Sequence, residues 1–270
     1  MVLSSFSSLQ QRVISACILG PIAIAALYLG GIYFTLFLGA AAAVMCFEWS
    51  RASFTKRSPL FTGLIGLAVL LPLIFINKYN LEQLVIGIFC SSILIAGIAL
   101  ILKQTADALW AFLGPVCIGF PVLSLAILRT IPEIGLAVTL SLFLVIWATD
   151  IGAYFSGKSI GGPKIAPRIS PNKTWAGLIG GMIAAMIVAY AAYTLLMGGN
   201  VSPIRILGLG AICAILAQTS DFAESAWKRN FGIKDASNLI PGHGGVLDRL
   251  DGIFLVAPSL LVILLYADRN

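Results

Sequence analysis

The chain has 270 residues, of which 59 % are hydrophobic and only 10 % charged, and its mean hydropathy is +1.00. Such an apolar excess excludes an ordinary soluble domain, which has no means of keeping so much of it from water. The formal charge of +6 would suit a nucleic-acid binder only if the basic residues formed one patch; they are spread along the chain, and no nucleic acid is expected as a partner.

Taken in order, the apolar runs predict helices over roughly 13–30, 32–47, 59–77, 81–102, 109–128, 136–155, 174–197, 203–222 and 250–267. They are apolar throughout rather than alternating, which argues against a transmembrane barrel. The expected fold class is all-α, a polytopic transmembrane helix bundle of about nine spans. Arg12 precedes a first run of about 18 residues, longer than the roughly 7 to 15 of a signal-peptide core, so this helix is expected to be retained. Cys17, Cys46, Cys90, Cys117 and Cys213 all fall within predicted spans. An odd number without metal-ligand spacing points to packing, not to disulfides or zinc.

With a cytoplasmic amino terminus, the inner segments carry Arg12, Arg51, Lys56, Arg57, Lys103, Lys158, Lys164, Arg168, Lys173, Lys228, Arg229, Lys234 and Arg249. The outer segments carry Lys78, Arg129, Arg205 and Arg269, a split of about 13 to 4 that fits the positive-inside rule. Residues 1–135 read as a scaffold of transmembrane helices, kinked at Pro21, Pro72, Pro115 and Pro121. Residues 136–270 read as a catalytic transmembrane region with two basic cytoplasmic loops. There the acids gather: Asp150, Asp221, Glu224, Asp235, Asp248 and Asp251.

Asp221 and Glu224 end the eighth predicted span, and Asp248 and Asp251 open the ninth. Each pair is spaced i, i+3, which puts both carboxylates on one face of a helix. Acids at this depth are costly, so they line polar cavities and find cations. Pairing with Lys228, Arg229 and Arg249 at the interface is one outcome. Four acids on two successive helix ends favour the other, an oxygen-ligated site suited to Mg²⁺. In "SPNKTWAG" (170–177), Lys173 sits among Ser170, Asn172 and Thr174 at the start of the seventh span. A lysine there opposes the helix dipole unless an anion is bound, so a capped helix and a phosphate site are both open readings. His243 lies between Gly242 and Gly244 in a loop able to approach a ligand closely. Hydrogen bonding is the usual work of such a histidine, with a catalytic role as the alternative.

"SAWKRNFGIKDASNLIPGHGGVLDRLD" (225–251) resembles the signature of the phosphatidate cytidylyltransferases, or CDP-diacylglycerol synthases. The matching positions are Ser225, Lys228, Arg229, Lys234, Asp235, Pro241, His243, Gly244, Gly245, Asp248, Arg249 and Asp251. "WATDIGAYFSGKSIGGPKIAPRISPNKTWAG" (147–177) and "SDFAES" (220–225) are similar to that family's central and penultimate segments. The resemblance covers roughly 145–267. Trp227 stands where a smaller apolar residue is usual and Ser220 where glycine is common, departures that bear on packing.

The resemblance implies transfer of CMP from CTP to phosphatidate with Mg²⁺, in the inner (cytoplasmic) membrane and with the active site facing the cytoplasm. It admits a second cation and a homodimer. It implies Asp221 and Asp248 as metal ligands, with Asp251 as a third or supporting group, and Lys228 beside them in catalysis. Arg229, Lys234 and Arg249 would neutralise phosphates. Ser170, Asn172, Lys173, Thr174, His243 and Asp150 would complete the substrate-binding set, among membrane lipids. A related enzyme acting on another lipid or isoprenoid phosphate is the alternative, followed by a cation or proton transporter.

Overall fold

A computed structural model describes residues 8–54, 56, 58–199 and 201–267. Arg57 and Arg269 of the charge distribution lie outside the described residues. Each predicted apolar run is helical: α1 (Ser8–Leu29), α2 (Gly31–Ser53), α3 (Ser58–Ile74), α4 (Leu81–Ile101), α5 (Ala108–Thr130), α6 (Gly135–Ile160), α7 (Trp175–Ala192), α8 (Pro203–Asn230) and, after a four-residue α9 (Leu247–Leu250), α10 (Ile253–Ala267). Among the described residues, 7 helical segments are long and apolar enough to cross a membrane. The expectation of about nine spans included α3 and α10, which at 17 and 15 residues are shorter. The chain is a polytopic helix bundle by this measure.

Local chemistry sets the boundaries. Asn80 and Gln83 form a reciprocal capping box at the start of α4, with N···O distances of 2.9 and 3.2 Å. α8 runs well past its predicted end at 222, because no breaker occurs before Gly232, whose φ of 67° takes the chain out of the helix. Lys228 and Arg229 therefore sit on a helix, not in a loop. One feature departs from an all-helical class. Lys164–Ala166 (β1) pairs antiparallel with Ser170–Thr174 (β2), Lys164 opposite Thr174 and Ala166 opposite Ser170. Pro163, Pro167 and Pro171 keep this stretch out of a helix.

The chain forms two compact units. The first comprises Met1–Ile127 with Asn230–Leu250. Its core includes Phe34, Met45, Phe61 and Ile65, and Phe54 stacks on Phe61 with centroids 4.1 Å apart. The segment after Asn230, which the sequence assigns to the C-terminal region, folds onto α1 and α2. Arg12 Nε donates to the Gly242 carbonyl and Ser15 Oγ to that of Pro241, both at 2.9 Å.

The second unit comprises Leu128–Arg229 with Asp251–Asn270. α6 and α7 lie antiparallel along a seam of small residues. A Cβ on Gly152 would stand 2.7 Å from that of Ala184, and one on Gly181 would stand 2.7 Å from the Thr149 carbonyl oxygen. Only glycine permits so close an approach, a common device where helices pack in lipid. The β1–β2 hairpin caps this pair, tied by Trp175 N–H to the Pro163 carbonyl at 3.2 Å. Leu255 N–H, in the first turn of α10, donates to Ser220 Oγ at 3.0 Å. Ser220 thus satisfies a donor that the helix start leaves without an intrahelical partner.

Candidate functional site

Within the second unit, α8 presents Asp221 and Glu224 one turn apart, and Asp251 lies in the turn ahead of α10. One carboxylate oxygen from each lies within 4.8 Å of the others. Two lysines meet this cluster. Lys173 of β2 forms an ion pair with Asp221 Oδ2, and its Nζ lies 4.5 Å from the Phe222 ring centroid. Lys228 Nζ lies 2.6 Å from Glu224 Oε2, an i, i+4 pair whose residues are only 9 % and 3 % exposed. Ser225 Oγ donates to Asp221 Oδ1 at 3.3 Å. Burial pushes the Asp251 carboxyl up to about 7, and the charges of Asp221 and Asp150 push the same way. Lys228 and the Gly252 N–H, 2.7 Å from Oδ1, oppose them.

Three acids against two lysines leave negative charge in a half-buried place. Hard oxygen donors with that excess fit a divalent cation such as Mg²⁺. The cluster holds Asp221 and Asp251 of the residues expected as metal ligands and adds Glu224, which the sequence paired with Asp221 by spacing alone.

Asp248 sits in the first unit, where its Oδ2 accepts hydrogen bonds from the Ala236 and Gly245 N–H groups, both at 2.8 Å. The surrounding loop turns at Gly242 and Gly244, with φ of 75° and 80°. Ile240 and Gly244 form a bridge, and His243 N–H donates to the Ile240 carbonyl at 2.9 Å. Burial, then Arg249 and Arg12, hold the His243 imidazole below its ordinary value. Lys234 and Arg249 are exposed on this segment.

The remaining expected residues lie in the second unit. Ser170 is half-buried and Asn172 exposed on the strand that carries Lys173, while Thr174 Oγ1 accepts from Gly177 N–H at 3.0 Å and caps α7. Arg229 is exposed in the last turn of α8, and Asp150 is exposed on α6.

Sequence reasoning missed Glu48. It is 0 % exposed near the end of α2, and its carboxylate accepts from Ser237 Oγ at 2.5 Å, Val246 N–H at 3.0 Å and Leu247 N–H at 2.9 Å. The available signal was an acid at the end of an apolar run, which is costly without dedicated partners.

The sequence profile of the cytidylyltransferase family matches residues 10–267. The chain is 41 % identical over 259 residues to the phosphatidate cytidylyltransferase of Brucella suis biovar 1, covering 94 % of this chain and 92 % of that protein. It is 35 % identical to the Haemophilus influenzae phosphatidate cytidylyltransferase, covering 93 % and 96 % of the two chains. The protein of that name from Bacillus subtilis is 31 % identical, over 95 % and 97 %.

Proposed function

The chain belongs to the cytidylyltransferase family, and from that premise we propose that it is a membrane-embedded phosphatidate cytidylyltransferase. A phosphatidate phosphate oxygen attacks the α-phosphorus of CTP. A new P–O bond forms, the bond to the bridging oxygen breaks, and pyrophosphate leaves as CDP-diacylglycerol is made. The attacking oxygen is already anionic, so no strong base is needed. The barrier lies in bringing one polyanion against another in line, which positioning and cationic donors lower.

The observation that carries this reading is the cluster of Asp221, Glu224 and Asp251 with Lys173 and Lys228 paired onto it. Each lysine is held by an acid and so is already in place to donate to a phosphate oxygen, a charge-assisted bond stronger than a neutral one. Mg²⁺ bound by Asp221, Glu224 and Asp251 would offset phosphate charge. Ser170 and Asn172, on the same strand as Lys173, are assigned to one of the two phosphorylated substrates, and Arg229 to phosphate charge. For Asp248, the two backbone hydrogen bonds favour a part in shaping its loop. The basic residues Lys158, Lys164, Arg168, Lys228 and Arg229 support an inner-membrane protein whose cluster faces the cytoplasm, where CTP is found.

Purified protein incubated with labelled CTP, Mg²⁺ and a panel of lipid phosphates tests the reading. Phosphatidate should give CDP-diacylglycerol and pyrophosphate in equal amounts. Turnover only with an isoprenoid phosphate would assign a different substrate, and no CTP-dependent product with any of them would overturn it.

A further inference from the structure

We propose that Glu48 is a positioning residue for the transfer reaction, acting from α2 on the segment that carries Asp248 and Arg249 and runs into Asp251. The inference rests on the functional reading above. Three consecutive backbone N–H groups, those of Gly245, Val246 and Leu247, are held by two carboxylates: Gly245 by Asp248, and Val246 and Leu247 by Glu48. Ser237 Oγ donates to the same Glu48 oxygen as Val246, which ties the other side of the loop to α2. Glu48 is fully buried, and all three of these donors point at it.

Gly245 supplies the second line of the argument. Its φ is not left-handed, so its backbone conformation is open to other residues. Yet the three nearest atoms a Cβ would meet all belong to Glu48, with Oε1 at 2.5 Å, Cδ at 2.8 Å and Oε2 at 2.9 Å. The glycine is needed because the carboxylate is there. Losing the carboxylate would free two amides and the Ser237 hydroxyl at once. The short turn that fixes Asp248 would then move, and Arg249 and Asp251, one and three residues further along the chain, would follow it. Asp248 holds the loop from its own segment, whereas Glu48 reaches it from α2, across 189 to 199 residues of sequence.

The geometry makes the test reciprocal. Glu48→Gln keeps an acceptor but aims an amide donor at a backbone N–H or the Ser237 hydroxyl, and turnover should fall about 10- to 100-fold, the loss of one to two charged hydrogen bonds. Gly245→Ala should cost a similar factor. Glu48→Asp withdraws the carboxylate by about 1.5 Å, which makes room for the new methyl, so the Glu48→Asp/Gly245→Ala pair should turn over faster than Gly245→Ala alone. Hydrogen exchange should quicken over 244–250 in Glu48→Gln and stay unchanged in α6 and α7. Losses that simply multiply in the double variant, or unchanged exchange over 244–250, would overturn the proposal. A wild type that makes no CDP-diacylglycerol overturns the functional reading instead. An active wild type with an equally active Glu48→Gln overturns the positioning role alone.

Discussion

Lys173 and Lys228 reach the same acidic cluster from different elements, Lys173 from a strand through Asp221 and Lys228 through Glu224 from the helix that carries both acids. A lysine among buried groups costs desolvation, which its acid partner offsets only in part. An incoming phosphate is therefore an alternative partner of like sign, and the lysines need little reorganisation to meet it. Lys173→Ala and Lys228→Ala should each lower turnover by about 30- to 1,000-fold, or about 2–4 kcal/mol of transition-state stabilisation, with folded protein still in the membrane. Steady-state kinetics on detergent-purified variants would check this, and near-normal turnover in both would return the lysines to a topological role. The i, i+3 spacing of Asp221 and Glu224 was legible because helical periodicity is local. The pairing of Asp251 with Asp221 came only from the family resemblance, since spacing along one segment says nothing of a helix that starts two residues later. Glu48 was hidden for a related reason: its partners lie 189 to 199 residues away along the chain.

At the scale of elements, apolar runs gave nearly every helix because lipid requires that backbone groups be satisfied within the segment. Where that demand ends, so did the reading. α8 overran its predicted end because a polar stretch without breakers continues a helix as readily as an apolar one. The β1–β2 hairpin is too short to show a period, and only its three prolines announced that it was not helical. The hairpin carries Lys173, so its placement matters, and that placement rests on the seam between α6 and α7. Gly152→Leu should push α7 away from α6 where Ala184 and the Gly180 carbonyl now touch it. The expected cost is about 1–3 kcal/mol of overpacking, seen as a lower thermal midpoint in detergent, with turnover reduced as the hairpin shifts. An unchanged midpoint would mean that the seam tolerates a side chain and does not set the hairpin.

For the molecule as a whole, the charge pattern supports the proposed topology, in which most basic residues would orient the helices. Arg12, one of that set, also donates to the Gly242 carbonyl. The gathering of 230–250 with α1 and α2 could not be read from sequence, because it depends on hydrogen bonds donated by Arg12 and Ser15 and accepted by Glu48 across most of the chain. The orientation itself is testable with single cysteines at Ser159 and Asn230, both exposed. They should label only when a reagent has access to the cytoplasmic side, and labelling from outside intact cells would invert the topology. The central claim is that Asp221, Glu224 and Asp251 form the metal-dependent centre of CTP transfer. A Mg²⁺ titration of CTP-dependent turnover in wild type, Asp221→Asn, Asp251→Asn and Asp248→Asn tests it most directly. Chelation should abolish wild-type turnover. Asp221→Asn and Asp251→Asn, though folded, should lose about 100-fold or more and recover part of it at higher Mg²⁺ or with Mn²⁺, while Asp248→Asn should show little shift in metal demand. Folded Asp221→Asn and Asp251→Asn proteins with wild-type turnover and unchanged metal dependence would contradict it.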